Sequence, residues 1–91
     1  MPGELGEHSR NCGTRKVYQG EGKASVSLEV DKESKCKVYA ALTLGDKNIG
    51  EVGGSAGAKG SIEAEADAVT ITCGEGLRED KCKYRISVTW T

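Results

Sequence analysis

Apolar and polar residues alternate with a period of two along much of the chain. The main apolar residues fall on even positions in segments 24–30, 36–44 and 82–90, and on odd positions in segment 69–73. Such alternation is typical of half-buried β-strands, and no window of twelve or more residues carries the apolar stripe of a helix. Short polar segments separate the strands. The sequence therefore predicts an all-β fold, a small antiparallel sandwich or barrel of about six or seven strands.

The matching of apolar positions also predicts how two strand pairs align. If segments 69–73 and 82–90 form a hairpin, Cys73 lies opposite Cys82 and Ile71 lies opposite Tyr84. A shift of one residue would place these side chains on opposite faces of the sheet.

A second hairpin is predicted across the polar segment 31–35. Its five-residue loop places Val30 opposite Cys36 and Leu28 opposite Val38. Again every apolar residue meets an apolar partner on one face.

Turn residues predict the remaining connections. Gly45-Asp46 is suited to a two-residue hairpin turn, which would place Ile49 across from Leu42. The glycine-rich segment 53–60 is expected to be a loop. The apolar parity changes near residues 67–68, so we expect a bulge, a bend or a change of sheet there.

Length and composition limit the organisation of the chain to one domain. The sequence has 91 residues, of which 16 are Leu, Ile or Val, so the hydrophobic core is small. A short early strand is expected around Val17 and Tyr18. We expect residues 1–14 to be a flexible N-terminal segment and residues 15–91 to form a single β-sandwich domain.

Four cysteines, Cys12, Cys36, Cys73 and Cys82, offer covalent support for this small core. No two of them have the close spacing of a structural zinc site, so no metal is expected. Spacing alone permits three disulfide pairings. The register of the C-terminal hairpin favours Cys73 with Cys82, which leaves Cys12 with Cys36. Disulfides persist outside the reducing cytosol, so we expect a secreted or cell-surface protein.

Charge and hydropathy exclude several partners. The formal net charge is −1, which gives no general attraction to nucleic acid or to anionic lipid. No apolar stretch approaches the length of a membrane span. The first ten residues contain no apolar signal-peptide segment, so export would require a signal peptide or flanking sequence that is absent here.

The sequence contains a pattern found in serine hydrolases, but not the neighbouring elements that such a pattern needs for catalysis. Gly53–Gly57 matches the G-x-S-x-G pattern around Ser55, but no helix follows it and the sole histidine, His8, lies near the N-terminus. Glu63, Glu65 and Asp67 alternate along one strand, where solvent-exposed carboxylates are the simpler interpretation. The chain is therefore expected not to be an enzyme, with no catalytic residue and no cofactor.

Elimination favours a binding module that contacts a macromolecular partner, a protein or a glycan, and that is itself monomeric. Tyr39 on an outward strand face, Lys59, and Leu77, Arg78 and Glu79 in loop 74–81 are the candidate contacts. One alternative is an inhibitor or toxin-neutralising protein that presents loop 74–81. Another is a structural subunit of a surface or phage-like assembly, in which edge strands add to neighbouring copies.

Overall fold

The computed structural model describes residues 2–77 and 79–91, with side chains described from residue 6 onward. These residues form eight strands: β1 (Pro2–Asn11), β2 (Arg15–Gln19), β3 (Lys23–Val30), β4 (Val38–Leu44), β5 (Lys47–Gly54), β6 (Lys59–Glu65), β7 (Ala68–Cys73) and β8 (Lys81–Trp90). The strand count exceeds the six or seven expected because β1 occupies most of the segment 1–14, where no strand was foreseen.

The strands form two four-stranded antiparallel sheets. Sheet I has the order β1-β8-β3-β6, and sheet II has the order β2-β7-β4-β5. Only β4 and β5 are consecutive strands within one sheet; every other connection passes from one sheet to the other. This strand order is that of a jelly roll, an eight-stranded double-sheet sandwich. The predicted all-β sandwich is confirmed.

Alternating side chains from the two sheets fill the core. The buried strand residues include Val26 and Leu28 of β3, Leu42 of β4 and Ile71 of β7, all no more than 2% exposed. Since successive side chains of a strand point to opposite faces, the central strands β3, β4, β7 and β8 each supply one buried row to the core and one row to the outer surface.

Trp90 closes one end of this core. Its indole Nε1 donates a hydrogen bond to the Ala66 carbonyl oxygen at 2.8 Å. Gly20 lies so close to the indole that a Cβ at that position would come within 2.2 Å of the ring. Glycine is therefore required at residue 20 by the packing of the tryptophan.

Two predicted hairpins are wrong in their pairing but right in the face they bury. β7 and β8 lie in different sheets, and so do β3 and β4. Cys73 pairs in register with Val38 rather than with Cys82, and Val30 pairs with Tyr84 rather than with Cys36. The alternation of apolar residues identifies the side chains that face the core. It does not identify the partner strand, because strands in opposite sheets match each other's apolar rows as well as neighbours in one sheet do. The seven-residue connections 31–37 and 74–80 are long enough to span the roughly 10 Å between packed sheets.

Both predicted disulfide pairings are confirmed, Cys12 with Cys36 and Cys73 with Cys82. Cys73 ends β7 in sheet II and Cys82 lies in β8 of sheet I, so this bridge joins the two sheets. Cys12 follows β1, and Cys36 precedes β4.

The turn at Gly45-Asp46 is confirmed, with Leu44 and Lys47 paired across it. Gly45 has a φ of +61°, which the first position of a type II′ turn requires. A register shift between Leu42 and Thr43 pairs Leu42 with Gly50 rather than with the predicted Ile49. The predicted change of parity near residues 67–68 is the passage from β6 in sheet I to β7 in sheet II.

Candidate functional site

The predicted contact residues are distributed over different surfaces of the sandwich. Leu77 and Glu79 lie in the 74–80 connection, and Leu77 is 68% exposed. Lys59 begins β6 at the edge of sheet I, and Tyr39 points outward from β4 in sheet II, half-buried. Arg78 lies outside the described residues. Of the four predicted contact residues that the structure describes, only Leu77 and Glu79 share a segment of the chain.

The loop 74–80 is fastened to the neighbouring β1–β2 connection. The Cys12 amide donates to the Asp80 carbonyl oxygen at 3.1 Å, and the Gly13 amide donates to the Gly74 carbonyl oxygen at 2.8 Å. Together with the disulfides, these bonds hold the loop at the end of the sandwich where both bridges lie.

The residues considered for catalysis or metal binding lie apart. Ser55 is in the β5–β6 turn, whereas His8 is in β1 at the opposite edge of sheet I. Asp67 lies beyond the end of β6 and accepts a hydrogen bond from the Gly45 amide at 3.0 Å. Among the residues that the structure describes, no group of three or more His, Cys, Asp or Glu side chains could hold a metal ion.

Glu63 takes part in a small polar network on β6. Its carboxylate accepts a hydrogen bond from the Ser25 hydroxyl at 2.7 Å and lies 3.6 Å from the Lys23 ammonium. The Ser25 hydrogen bond and then the Lys23 charge lower the pKa of Glu63 below that of an ordinary glutamate. The Glu63 side chain is exposed to solvent.

The edges of the two sheets are the surfaces with unused bonding capacity. β1 and β5 are irregular edges, with register shifts between Pro2 and Leu5 and between Leu42 and Thr43. β2 and β6 are regular edges, paired along their whole lengths without a shift. Bulges discourage the addition of further strands, so β2 and β6 are the better templates.

The hydrogen-bond pattern shows which backbone groups of β6 are open. The Ala66 amide and the Ala58 carbonyl bond to the β3 side, so even-numbered residues of β6 face β3. In an antiparallel ladder the intervening residues point the other way. Ser61, Glu63 and Glu65 therefore direct their N–H and C=O groups away from sheet I.

On β2 the odd-numbered residues face the free edge. The Thr14 carbonyl and the Gly20 amide bond to the β7 side, so Arg15, Val17 and Gln19 direct their backbone groups to the free edge. The Arg15 carbonyl accepts a hydrogen bond from the Arg10 guanidinium at 2.9 Å, a contact with that open side. Val17 is 52% exposed on this edge.

The two regular edges lie on opposite sides of the sandwich and differ in charge. β2 carries Arg15 and Lys16 and no acidic residue, while β6 carries Glu63 and Glu65 and one basic residue, Lys59, at its start. Lys16 occupies an inward-facing position of β2, and its ammonium lies 5.5 Å from the Tyr18 ring centroid. The molecule thus has one basic and one acidic open edge.

Comparisons with known proteins give one useful likeness. A solved structure of Bacillus endospore appendages, described as forming a family of disulfide-linked pili, matches with a TM-score of 0.60 and 17% sequence identity. The match covers 98% of this chain and 86% of that chain. At this identity the likeness shows the fold alone. No family model matches the chain, and no curated protein matches it either.

No helix in the described part of the chain is long and apolar enough to cross a membrane.

Proposed function

We propose that this protein is a structural subunit that adds edge to edge to copies of itself and forms a filament of a surface or extracellular assembly. The observation that carries the proposal is the pair of open, regular edges, β2 and β6, on opposite sides of one sandwich. A contact between two different edges is heterologous, so each added copy leaves a new free edge and growth does not close.

The proposed contact joins β6 of one copy to β2 of the next in antiparallel orientation. Arg15, Val17 and Gln19 of β2 can pair with three residues of β6, in a register that joins Arg15 to Glu65, Val17 to Glu63, and Gln19 to Ser61. In this register the Arg15 carbonyl, which already accepts from the Arg10 guanidinium, would accept a second hydrogen bond. The outward side chains of both strands then lie on the same surface. This orientation requires each copy to be turned by half a turn about the filament axis relative to the preceding one.

The strength of this contact can be estimated. Three antiparallel residue pairs form about six hydrogen bonds, each worth about 0.5–1.5 kcal/mol net. Association costs at least about 4 kcal/mol in lost translational and rotational freedom. A single edge contact is therefore weak, and we expect assembly to depend on protein concentration. Burial of the exposed Val17 adds to the contact.

The fold likeness and the disulfides support an extracellular or surface location. The likeness is to a protein described as a pilus, and disulfides are stable in oxidising compartments. Nothing in the comparisons supports the binding-module or inhibitor interpretations. The structural-subunit interpretation takes precedence over them, and assembly replaces the expectation of a monomer.

A proline in β6 provides a direct test. The Ser61 amide points to the free edge, so Ser61→Pro removes an edge donor while leaving the ladder to β3 intact. Ser61→Ala retains the amide and is the matched control. We expect wild type and Ser61→Ala to form growing chains in sedimentation velocity as concentration rises, and Ser61→Pro to stop at small species. Equal assembly of all three proteins would refute pairing through β6.

A further inference from the structure

The outer face of sheet II is free of charge at its centre. The outward residues of the two central strands, β7 and β4, are all half-buried threonine, alanine or tyrosine. They are Ala68, Thr70 and Thr72 on β7, and Tyr39, Ala41 and Thr43 on β4. We call these six residues the sheet II face.

The corresponding face of sheet I is different. Its central strands, β8 and β3, carry Lys83, Arg85, Lys23 and Glu29 on their outward positions. Lys23, Lys83 and Arg85 each form an ion pair with a surface glutamate. Packing this face against another sheet would remove these ion pairs from water, and their desolvation can cost more than their attraction returns. The sheet II face has no such cost and is suited to sheet-on-sheet packing.

Charges at the margins of the sheet II face indicate what covers it. Arg15 lies on β2 at one margin, and Glu51 lies on β5 at the opposite margin. Across the sheet, Arg15 is level with Tyr39, and Glu51 is level with Ala41. The two charged residues are therefore offset by two residues along the strand direction.

A two-fold axis parallel to the strands, between two facing sheets, would place β2 of one copy over β5 of the other. With sheets about 10 Å apart and a rise of about 3.3 Å per residue, Arg15 and Glu51 of different copies come within about 12 Å at Cα. Extended arginine and glutamate side chains span this distance. The face is therefore complementary to itself in charge.

We propose that the sheet II face packs against the same face of a second copy of this chain, in a two-fold dimer with an uncharged centre and two Arg15–Glu51 ion pairs at its margins. This contact is isologous and closes on itself, whereas the edge contact is open. The two contacts share only Arg15, whose backbone would pair at the edge while its side chain reaches Glu51 of the facing copy, so face packing would join filaments laterally.

The test uses the edge-blocked Ser61→Pro protein, in which chain growth through β6 is prevented. Sedimentation equilibrium is expected to show a monomer–dimer equilibrium. Adding Thr70→Lys at the centre of the sheet II face should raise the dimer dissociation constant by at least about tenfold. Adding Ser27→Lys, at the centre of the sheet I face, is the matched control and should leave the constant unchanged.

A charge exchange tests the proposed geometry. In the same background, Arg15→Glu or Glu51→Arg alone should weaken the dimer by about fivefold through like-charge contacts. The double exchange Arg15→Glu with Glu51→Arg should restore it.

Three outcomes would overturn the proposal. Ser61→Pro protein that stays monomeric at all concentrations contradicts face packing while leaving edge assembly supported. Equal weakening by Thr70→Lys and Ser27→Lys places the contact elsewhere. A double exchange that is weaker than either single variant contradicts the two-fold arrangement. Thr70→Lys in otherwise wild-type protein separates the two contacts, since it should abolish lateral association and leave chains.

Discussion

Reduction of both disulfides, without any substitution, should bring this protein close to unfolding. The bridges connect cysteines that are 24 and 9 positions apart. The loop-entropy relation assigns about 3.5 kcal/mol to the longer closed segment and about 2.7 kcal/mol to the shorter. The two segments do not overlap in sequence, so we expect the contributions to add to about 6 kcal/mol. Domains of this length have a free energy of unfolding of about 5–14 kcal/mol.

Urea titration monitored by the fluorescence of the single tryptophan, Trp90, measures the loss. Trp90 is 6% exposed, so unfolding changes its environment. The oxidised protein is compared with protein held reduced by a phosphine, and Cys73→Ala with Cys82→Ala reports the contribution of the shorter loop. A reduced protein that loses less than about 2 kcal/mol would contradict the view that the small core depends on its bridges.

Three further predictions concern individual side chains and the links between copies. Ser25→Ala should raise the carboxyl pKa of Glu63 toward its ordinary value in an NMR titration, because the Ser25 hydroxyl is the largest cause of its lowering. Since the lowered pKa favours the charged form in the folded state, this contact stabilises above the ordinary glutamate pKa and is lost as the pH falls through the folded-state value. Gly20→Ala should destabilise by about 1–3 kcal/mol in chemical denaturation because its Cβ would overlap the Trp90 ring, whereas Gly60→Ala, with only ordinary contacts, should change stability little. All four cysteines are paired within the chain, so assembled protein with its thiols blocked should migrate as a monomer on a non-reducing denaturing gel; a ladder of linked copies would contradict this.

Local patterns in the sequence were sufficient to predict which side chains enter the core. The alternation in segments 24–30 and 82–90 predicted the buried rows of β3 and β8, and the change of parity near residues 67–68 predicted the change of sheet. The pairing of Cys73 with Cys82 was predicted correctly, but from a hairpin that does not form. The two cysteines face each other between the sheets and not along one sheet.

The same patterns did not distinguish neighbours within a sheet from strands that face each other across the core. The strands that contain Val30 and Val38 have the apolar alternation expected of a hairpin, yet they lie in different sheets. That choice depends on which strands fill the remaining places in each sheet, a property of the whole chain. β1 was missed because its residues, including Gly6 and Glu7, show little apolar alternation and are held by pairing with β8.

The candidate interfaces depend on this long-range arrangement. Arg15 and Glu65 belong to no recognisable motif, and the role proposed for them follows from their positions on opposite edges of the two sheets. Tyr39 was correctly placed on the outward parity, but only the sheet order shows that its neighbours form an uncharged face.

Amide hydrogen exchange shows directly whether copies of this protein join through β2 and β6. Assembled protein would be exchanged, dissociated under quenching conditions and compared by NMR with dilute protein. We expect protection to increase at the amides of Arg15, Val17 and Gln19 on β2, and at those of Ser61, Glu63 and Glu65 on β6. Protection that increases instead along the irregular edges β1 and β5, or at no edge, would contradict this expectation.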